Sequence, residues 1–168
     1  MTKTLYLVRH AKASESVSPD LVRPLTSSGM IDIARMGKHL AAKIQNVQLI
    51  ICSNAERTQM TAQVLSEQLH ISDELIRVDN SLYESSPKHY LDAINSLPDS
   101  IDTIMMVGHN PSISYLAEYL THEDIGSMPT SGVIGMTFGD LSWAEVSKRT
   151  ANMTFYDSPD SILGVKLD

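Results

Sequence analysis

The chain alternates short apolar runs with stretches of helical period, and few folds accommodate that pattern. Residues 4–8, Thr-Leu-Tyr-Leu-Val, are a short, mostly apolar run that reads as a buried strand and stops at Arg9-His10. A helix is predicted from Thr26, with Met30, Ile33, Ala34, Gly37, Leu40, Ala41 and Ile44 on one face and Thr26 or Ser27 as its cap. Residues 48–52 read as a second strand, leading through Ser53-Asn54 into a helix whose inward stripe is Ala55, Thr58, Ala62, Leu65 and Leu69. Residues 75–78 read as a short strand and 87–97 as a helix that starts on Pro87. Residues 103–107 read as a buried strand ending at Gly108-His109, after which Asn110 is the expected cap and Pro111 the first residue of another helix.

Strands buried on both faces and separated by helices belong to a largely parallel sheet. The runs at 132–138 and 151–156 have no helical pattern between them, so they are expected to pair antiparallel at one edge. The predicted fold is therefore α/β: a three-layer sandwich with a mostly parallel central sheet, helices on both faces and an antiparallel edge. No repeat, linker or low-complexity tract divides the chain, which is expected to form one domain over residues 1–168.

In such sheets ligands bind beyond the carboxyl ends of the strands. Arg9 and His10 follow the first strand, Arg57 falls in the first turn of the helix after the second, and His109 follows the strand at 103–107. A parallel sheet would gather all four at one edge. Arginine presents a planar, permanently charged fork that matches phosphate oxygens, and helix N-termini add free N–H groups. A cation in the first turn of a helix opposes the helix dipole, so Arg57 asks for an anion nearby. An imidazole held in line with phosphorus is a competent nucleophile. Either histidine alone reads equally well as a structural residue at a strand end; the joint pattern with two arginines favours a phosphoryl site.

Other features exclude more than they assign. The formal net charge of −7 argues against nonspecific binding to nucleic acid or a membrane surface. No Walker loop, Asp-rich magnesium motif or His/Cys zinc cluster is present, so no metal or other cofactor is expected. The single cysteine, Cys52, lies in an apolar run and reads as a buried thiol. Without a signal-peptide pattern or a membrane-length apolar stretch, the protein is expected to be cytoplasmic, and with no visible interface, monomeric.

The segment Leu7-Val8-Arg9-His10-Ala11-Lys12 resembles the Arg-His-Gly signature of the histidine phosphatase (phosphoglycerate-mutase-like) superfamily, with Ala11 in place of the usual glycine. Ala11-Lys12 is similar to the short SixA-type branch. The stretches Arg23-Pro24-Leu25-Thr26-Ser27-Ser28-Gly29, Ser53-Asn54-Ala55-Glu56-Arg57-Thr58-Gln59-Met60-Thr61-Ala62, Leu82-Tyr83-Glu84 and Val107-Gly108-His109-Asn110-Pro111 resemble further family motifs in the family's order. The resemblance implies that His10 is the nucleophile that becomes phosphohistidine. It implies that Arg9 and Arg57 clamp the phosphoryl group and that His109 binds it beside them. Arg23 resembles a further phosphate contact of the short branch, against the alternative of a surface residue. Glu84 falls where larger members carry the acid for the leaving group, against the alternative of an exposed loop carboxylate.

The implied activity is that of a metal-independent phosphatase, and the short chain leaves little room for a lid over a small substrate. The expected substrate is therefore a histidine-phosphorylated protein, such as a histidine phosphotransfer carrier in signal transduction. A phosphatase for small phosphomonoesters is the alternative within enzymes. A noncatalytic phosphate-binding or phosphorelay carrier protein is the alternative from another class.

Overall fold

A computed structural model describes residues 2–163, and within them six strands form one sheet. These are β1 (Thr4–Arg9), β2 (Leu49–Cys52), β3 (Ile76–Val78), β4 (Thr103–Gly108), β5 (Val133–Thr137) and β6 (Asn152–Asp157), in the order β3-β2-β4-β1-β5-β6. The first four are parallel to one another, whereas β5 runs antiparallel to β1 and β6 antiparallel to β5. The helices are α1 (Ser27–Leu40), α2 (Glu56–Gln68), α3 (Pro87–Asn95), α4 (Ser112–Thr121) and the short α5 (Pro159–Ile162). The fold is the expected α/β sandwich, parallel at its centre with an antiparallel edge.

The two-residue period of a strand divides the core into two. On one face, Leu5 and Leu7 of β1 join Ile104 and Met106 of β4 under α3 and α4, with Tyr90, Ile94, Ile113, Leu116 and Trp143. On the other face, Tyr6 and Val8 join Met105 and Val107 under α1 and α2, with Ile33, Met36, Leu40, Ala62 and Leu65. Both faces of the central strands are thus buried, which is why their sequences are continuous apolar runs. Cys52 is free and buried on β2, and burial pushes its thiol up to about 11. Among the described residues no helix is long and apolar enough to cross a membrane.

Three local expectations require correction. Met30 faces solvent, and the stripe of α1 runs instead through Gly29, Ile33, Met36, Gly37 and Leu40. Ala41 is also exposed, because α1 ends at Leu40 and only the following turn returns Ile44 to the core. Helix α4 begins at Ser112, not at Pro111, and Asn110 does not cap it. The Asn110 amide donates to Ser127 Oγ and the Met128 carbonyl, each at 2.9 Å, tying the 127–128 loop to the start of α4. Thr26 does cap α1, accepting the Gly29 N–H at 3.0 Å.

Two glycines allow backbone approaches that place the functional edge. A Cβ on Gly29 would lie 2.2 Å from the Lys12 carbonyl oxygen, so the first turn of α1 rests directly on the chain just after His10. A Cβ on Gly108 would lie 2.4 Å from the Tyr90 hydroxyl and 2.6 Å from its ring. Tyr90 is fully buried and its hydroxyl accepts the His109 backbone N–H at 3.1 Å. A buried ring cannot move aside as a flexible side chain can. Gly108→Ala is therefore expected to destabilise the protein by about 1–3 kcal/mol in urea unfolding. An unchanged midpoint would show that Tyr90 and the start of the His109 turn relax without cost.

Candidate active site

Strand register aligns the chemistry. In the parallel pair β1–β4, Arg9 lies opposite Gly108, so the next residues, His10 and His109, leave the sheet side by side. Their ring centroids are 5.3 Å apart. In the neighbouring pair β2–β4, Cys52 lies opposite Val107, so Ser53 leaves the sheet beside Gly108. Three adjacent parallel strands thus deliver Ser53, His109 and His10 in a row.

Hydrogen bonding fixes the protonation sites of both rings. His10 Nδ1 is 2.8 Å from the carbonyl oxygen of Ala11, which can only accept. Nδ1 therefore carries the proton, and the neutral ring has its lone pair on Nε2. His109 Nε2 is 2.7 Å from Ser53 Oγ, which is itself 2.8 Å from Thr58 Oγ1. The Thr58 proton is directed to the carbonyls of Ser53 and Ala55 at 2.9 and 2.8 Å, so Thr58 accepts from Ser53 and Ser53 accepts from His109. His109 Nδ1 is left bare, 3.4 Å from Arg57 Nη2.

Both rings are held neutral. Desolvation is the main cause, reinforced by the positive charges of Arg57 and Arg9, and it brings His10 down to about 4 and His109 to about 3. Repulsion between the two rings adds to the shift of His109. At neutral pH the charge of the site is therefore carried by arginines and by a carboxylate that faces them.

The arginines differ in what engages them. Arg9 donates from Nη1 to the Met128 carbonyl at 2.8 Å, while its buried Nε has no partner among the described residues. Arg57, 7% exposed, donates to the carbonyl oxygen and to Oδ2 of Asp20 at 2.9 and 3.1 Å. Arg23 donates to the Ser14 carbonyl at 2.6 Å and to Asp20 Oδ1 at 2.8 Å. The Tyr83 hydroxyl donates to Asp20 Oδ2 at 2.6 Å, and its ring stands edge-on to His109 with centroids 5.9 Å apart. These bonds hold the Asp20 carboxyl well below the usual range, the one from Tyr83 contributing most, and the same bond raises Tyr83 to about 12.

The structure thus brings together Arg9, His10, Arg57, His109 and, through Asp20, Arg23. Glu84 is exposed on a backbone of positive φ (50°), and its carboxylate makes no hydrogen bond or ion pair among the described residues. It is Tyr83, one residue earlier, that faces His109. Asp20 lies outside every motif read in the sequence, and Tyr83 lies inside one, Leu82-Tyr83-Glu84, in which the resemblance gives the role to Glu84. Asp20 offered one signal, its spacing of three residues from Arg23 across a short 3-10 turn at Asp20–Val22. Thr61 lies in the motif that carries Arg57, without an assigned role: its hydroxyl accepts the Ala11 N–H at 3.0 Å and donates to the Arg57 carbonyl at 2.7 Å, bracing the His10 turn against α2. The Ser131 N–H is shared between the carbonyls of Arg9 and His10 from the other side. Among the described residues no group of three or more His, Cys, Asp and Glu side chains is placed to hold a metal ion.

Comparison with known proteins places this geometry among relatives. The sequence model of the histidine phosphatase superfamily (branch 1) matches residues 5–90, about half of the chain. An uncharacterized protein of Mycobacterium tuberculosis is 29% identical over 167 residues, covering 90% of this chain and 99% of that protein. The phosphohistidine phosphatase SixA of Escherichia coli is 22% identical over 152 residues, covering 83% of this chain and 91% of its own. Among solved structures, a protein from Nakamurella multipartitia named for SixA superposes with a TM-score of 0.81 at 25% identity, over 95% of this chain and 97% of that one.

The sign of the pH dependence follows from the two rings. Their folded pKa values lie below the 6.5 of an unfolded histidine, so the unfolded chain binds more protons below that pH. Stability is expected to fall as pH drops from about 6.5 towards about 4. In an NMR titration the His10 ring should remain neutral through pH 6, with a midpoint about 4. A midpoint at the ordinary histidine value would mean that the ring is solvated.

Proposed function

The chain belongs to the histidine phosphatase superfamily, in its SixA-type branch, and from that premise we propose that it is a phosphohistidine phosphatase acting on a histidine-phosphorylated protein. The observation that carries the proposal is the His10 tautomer. With Nδ1–H committed to the Ala11 carbonyl, the nucleophilic lone pair sits on Nε2, beside the second histidine and the arginines. Burial keeps that nitrogen unprotonated at neutral pH, so no separate base is needed to activate it.

In the first step His10 Nε2 bonds to phosphorus as the P–N bond to the substrate imidazole breaks. The departing nitrogen takes the electron pair and a proton from solvent. Water then attacks phospho-His10, phosphate leaves, and the electron pair returns to Nε2. Arg9 and Arg57 stabilise the transferring group by their charge, with His109 lining the site beside them. Positioned arginines supply the charge that this mechanism requires, so the activity should survive a chelator.

The leaving group favours phosphohistidine over a phosphomonoester. Imidazole leaves far more readily than an alkoxide, which needs a proton donor. The carboxylate nearest the arginines, Asp20, is held ionised by its partners, and Glu84 stands in solvent. The name of the E. coli relative, phosphohistidine phosphatase, is consistent with this substrate.

Phosphate release from a histidine-phosphorylated carrier protein, with chelator present, tests the reading. His10→Ala is expected to abolish release, and wild-type turnover in that variant would refute the nucleophile. Glu84→Gln is expected to change the rate less than about threefold, because a general acid is worth about 10²–10⁴ where it operates. A loss of that larger size would restore Glu84 as the acid and move the substrate towards small phosphomonoesters.

A further inference from the structure

We propose that Asp20 is a specificity-determining residue: its carboxylate occupies Arg57 and Arg23 until a dianionic phosphoryl group displaces it, and this exchange sets the phosphate affinity. The inference rests on the reading that these arginines receive a phosphoryl group. Both carboxylate oxygens are engaged, Oδ1 by Arg23 and Oδ2 by Arg57 and Tyr83. The Arg57 nitrogen that holds Oδ2 is also the one 3.4 Å from His109 Nδ1. The carboxylate bridges the two arginines with one oxygen on each, as two oxygens of a phosphoryl group could, while the other Arg57 nitrogen is held by the Asp20 main-chain carbonyl at 2.9 Å. Asp20 therefore stands where an incoming phosphoryl group needs to bind.

The loop that carries Asp20 is built so that this residue can leave. Its base is fixed by the bridge between Ala13 and Leu25 and by the Ser14 N–H on the Pro24 carbonyl at 2.8 Å. Its tip packs lightly: Asp20 and Val22 are exposed and Leu21 is half-buried, and the Asp20 side chain is 45% exposed. Swinging the carboxylate into water therefore carries little packing cost. The bonds from Arg57 and Tyr83 are what hold the tip against the site.

Charge decides which ligands succeed in the exchange. A monoanion that displaces Asp20 replaces one negative charge by another and gains little. A dianion brings a second charge and a third oxygen, and the permanent charge of Arg9, next to His10 in the chain, favours it further. The site thus discriminates against phosphodiesters and carboxylates by making every anion compete with an internal one.

Calorimetric titration with inorganic phosphate and with dimethyl phosphate tests this, at about pH 8, where inorganic phosphate is mainly the dianion and the diester a monoanion. If the latched form predominates about tenfold, Asp20→Asn is expected to bind inorganic phosphate about tenfold more tightly and to lose part of its preference over the diester. Tyr83→Phe loosens the carboxylate without changing any charge; it should shift affinity the same way by less, and it carries the test if the first variant misfolds. Unchanged phosphate affinity in both variants would overturn the proposal while leaving the phosphatase reading intact. Weaker phosphate binding, or a fall in kcat with unchanged affinity, would make Asp20 a substrate contact or a proton donor and overturn it as well. A wild type that binds no phosphate would overturn the pocket reading itself, and this inference with it.

Discussion

The parallel register of β2, β4 and β1 is the constraint on which the rest of the site depends. Because Arg9 pairs with Gly108 and Cys52 with Val107, three chain segments leave the sheet at one level. A slip of one residue in either pair would exchange the faces of the strand and separate the histidines. Register is in turn held by the core, since Leu5 and Leu7 must face α3 and α4 while Tyr6 and Val8 face α1 and α2. The apolar side chains that stabilise the sheet are therefore also what aligns the histidine rings.

The surroundings of those rings do two jobs at once. Burial among arginines keeps both imidazoles neutral, and a set of hydrogen bonds to acceptors of fixed polarity decides which nitrogen bears each proton. Ala11 orients His10; Ser53 and Thr58 orient His109. The turn holding His10 is braced by Thr61 on one side and by Ser131 on the other. Such bracing matters because an in-line attack tolerates little misplacement of the attacking nitrogen.

Three arginines and one carboxylate make a site that is cationic but not empty of anionic partners. Arg57 is buried and would be costly to leave without a counter-charge, a cost that Asp20 offsets. Among the described residues Arg9 has no such acidic partner, and its Nη1 is engaged by a carbonyl. The two arginines assigned the same clamping role thus meet an incoming anion from different starting states.

The sequence by itself determined the layered fold and the edge at which the chemistry gathers. Apolar runs ending at Arg9-His10, Ser53-Asn54 and Gly108-His109 can only be buried strands, and parallel strands place their ends together. Helix periodicity was less exact at the ends: Met30 satisfies the period yet faces solvent, because what lies opposite each turn is a tertiary matter. Asn110 has a capping residue's chemistry, but its amide finds better-placed acceptors across space in the 127–128 loop. The parts played by Asp20, Tyr83, Ser53 and Thr61 come from tertiary contacts, although all but Asp20 lie within motifs visible in the sequence. Their roles rest on contacts between residues from 5 to 63 positions apart, and a side chain's hydrogen-bond partner across such separations leaves no local pattern to read.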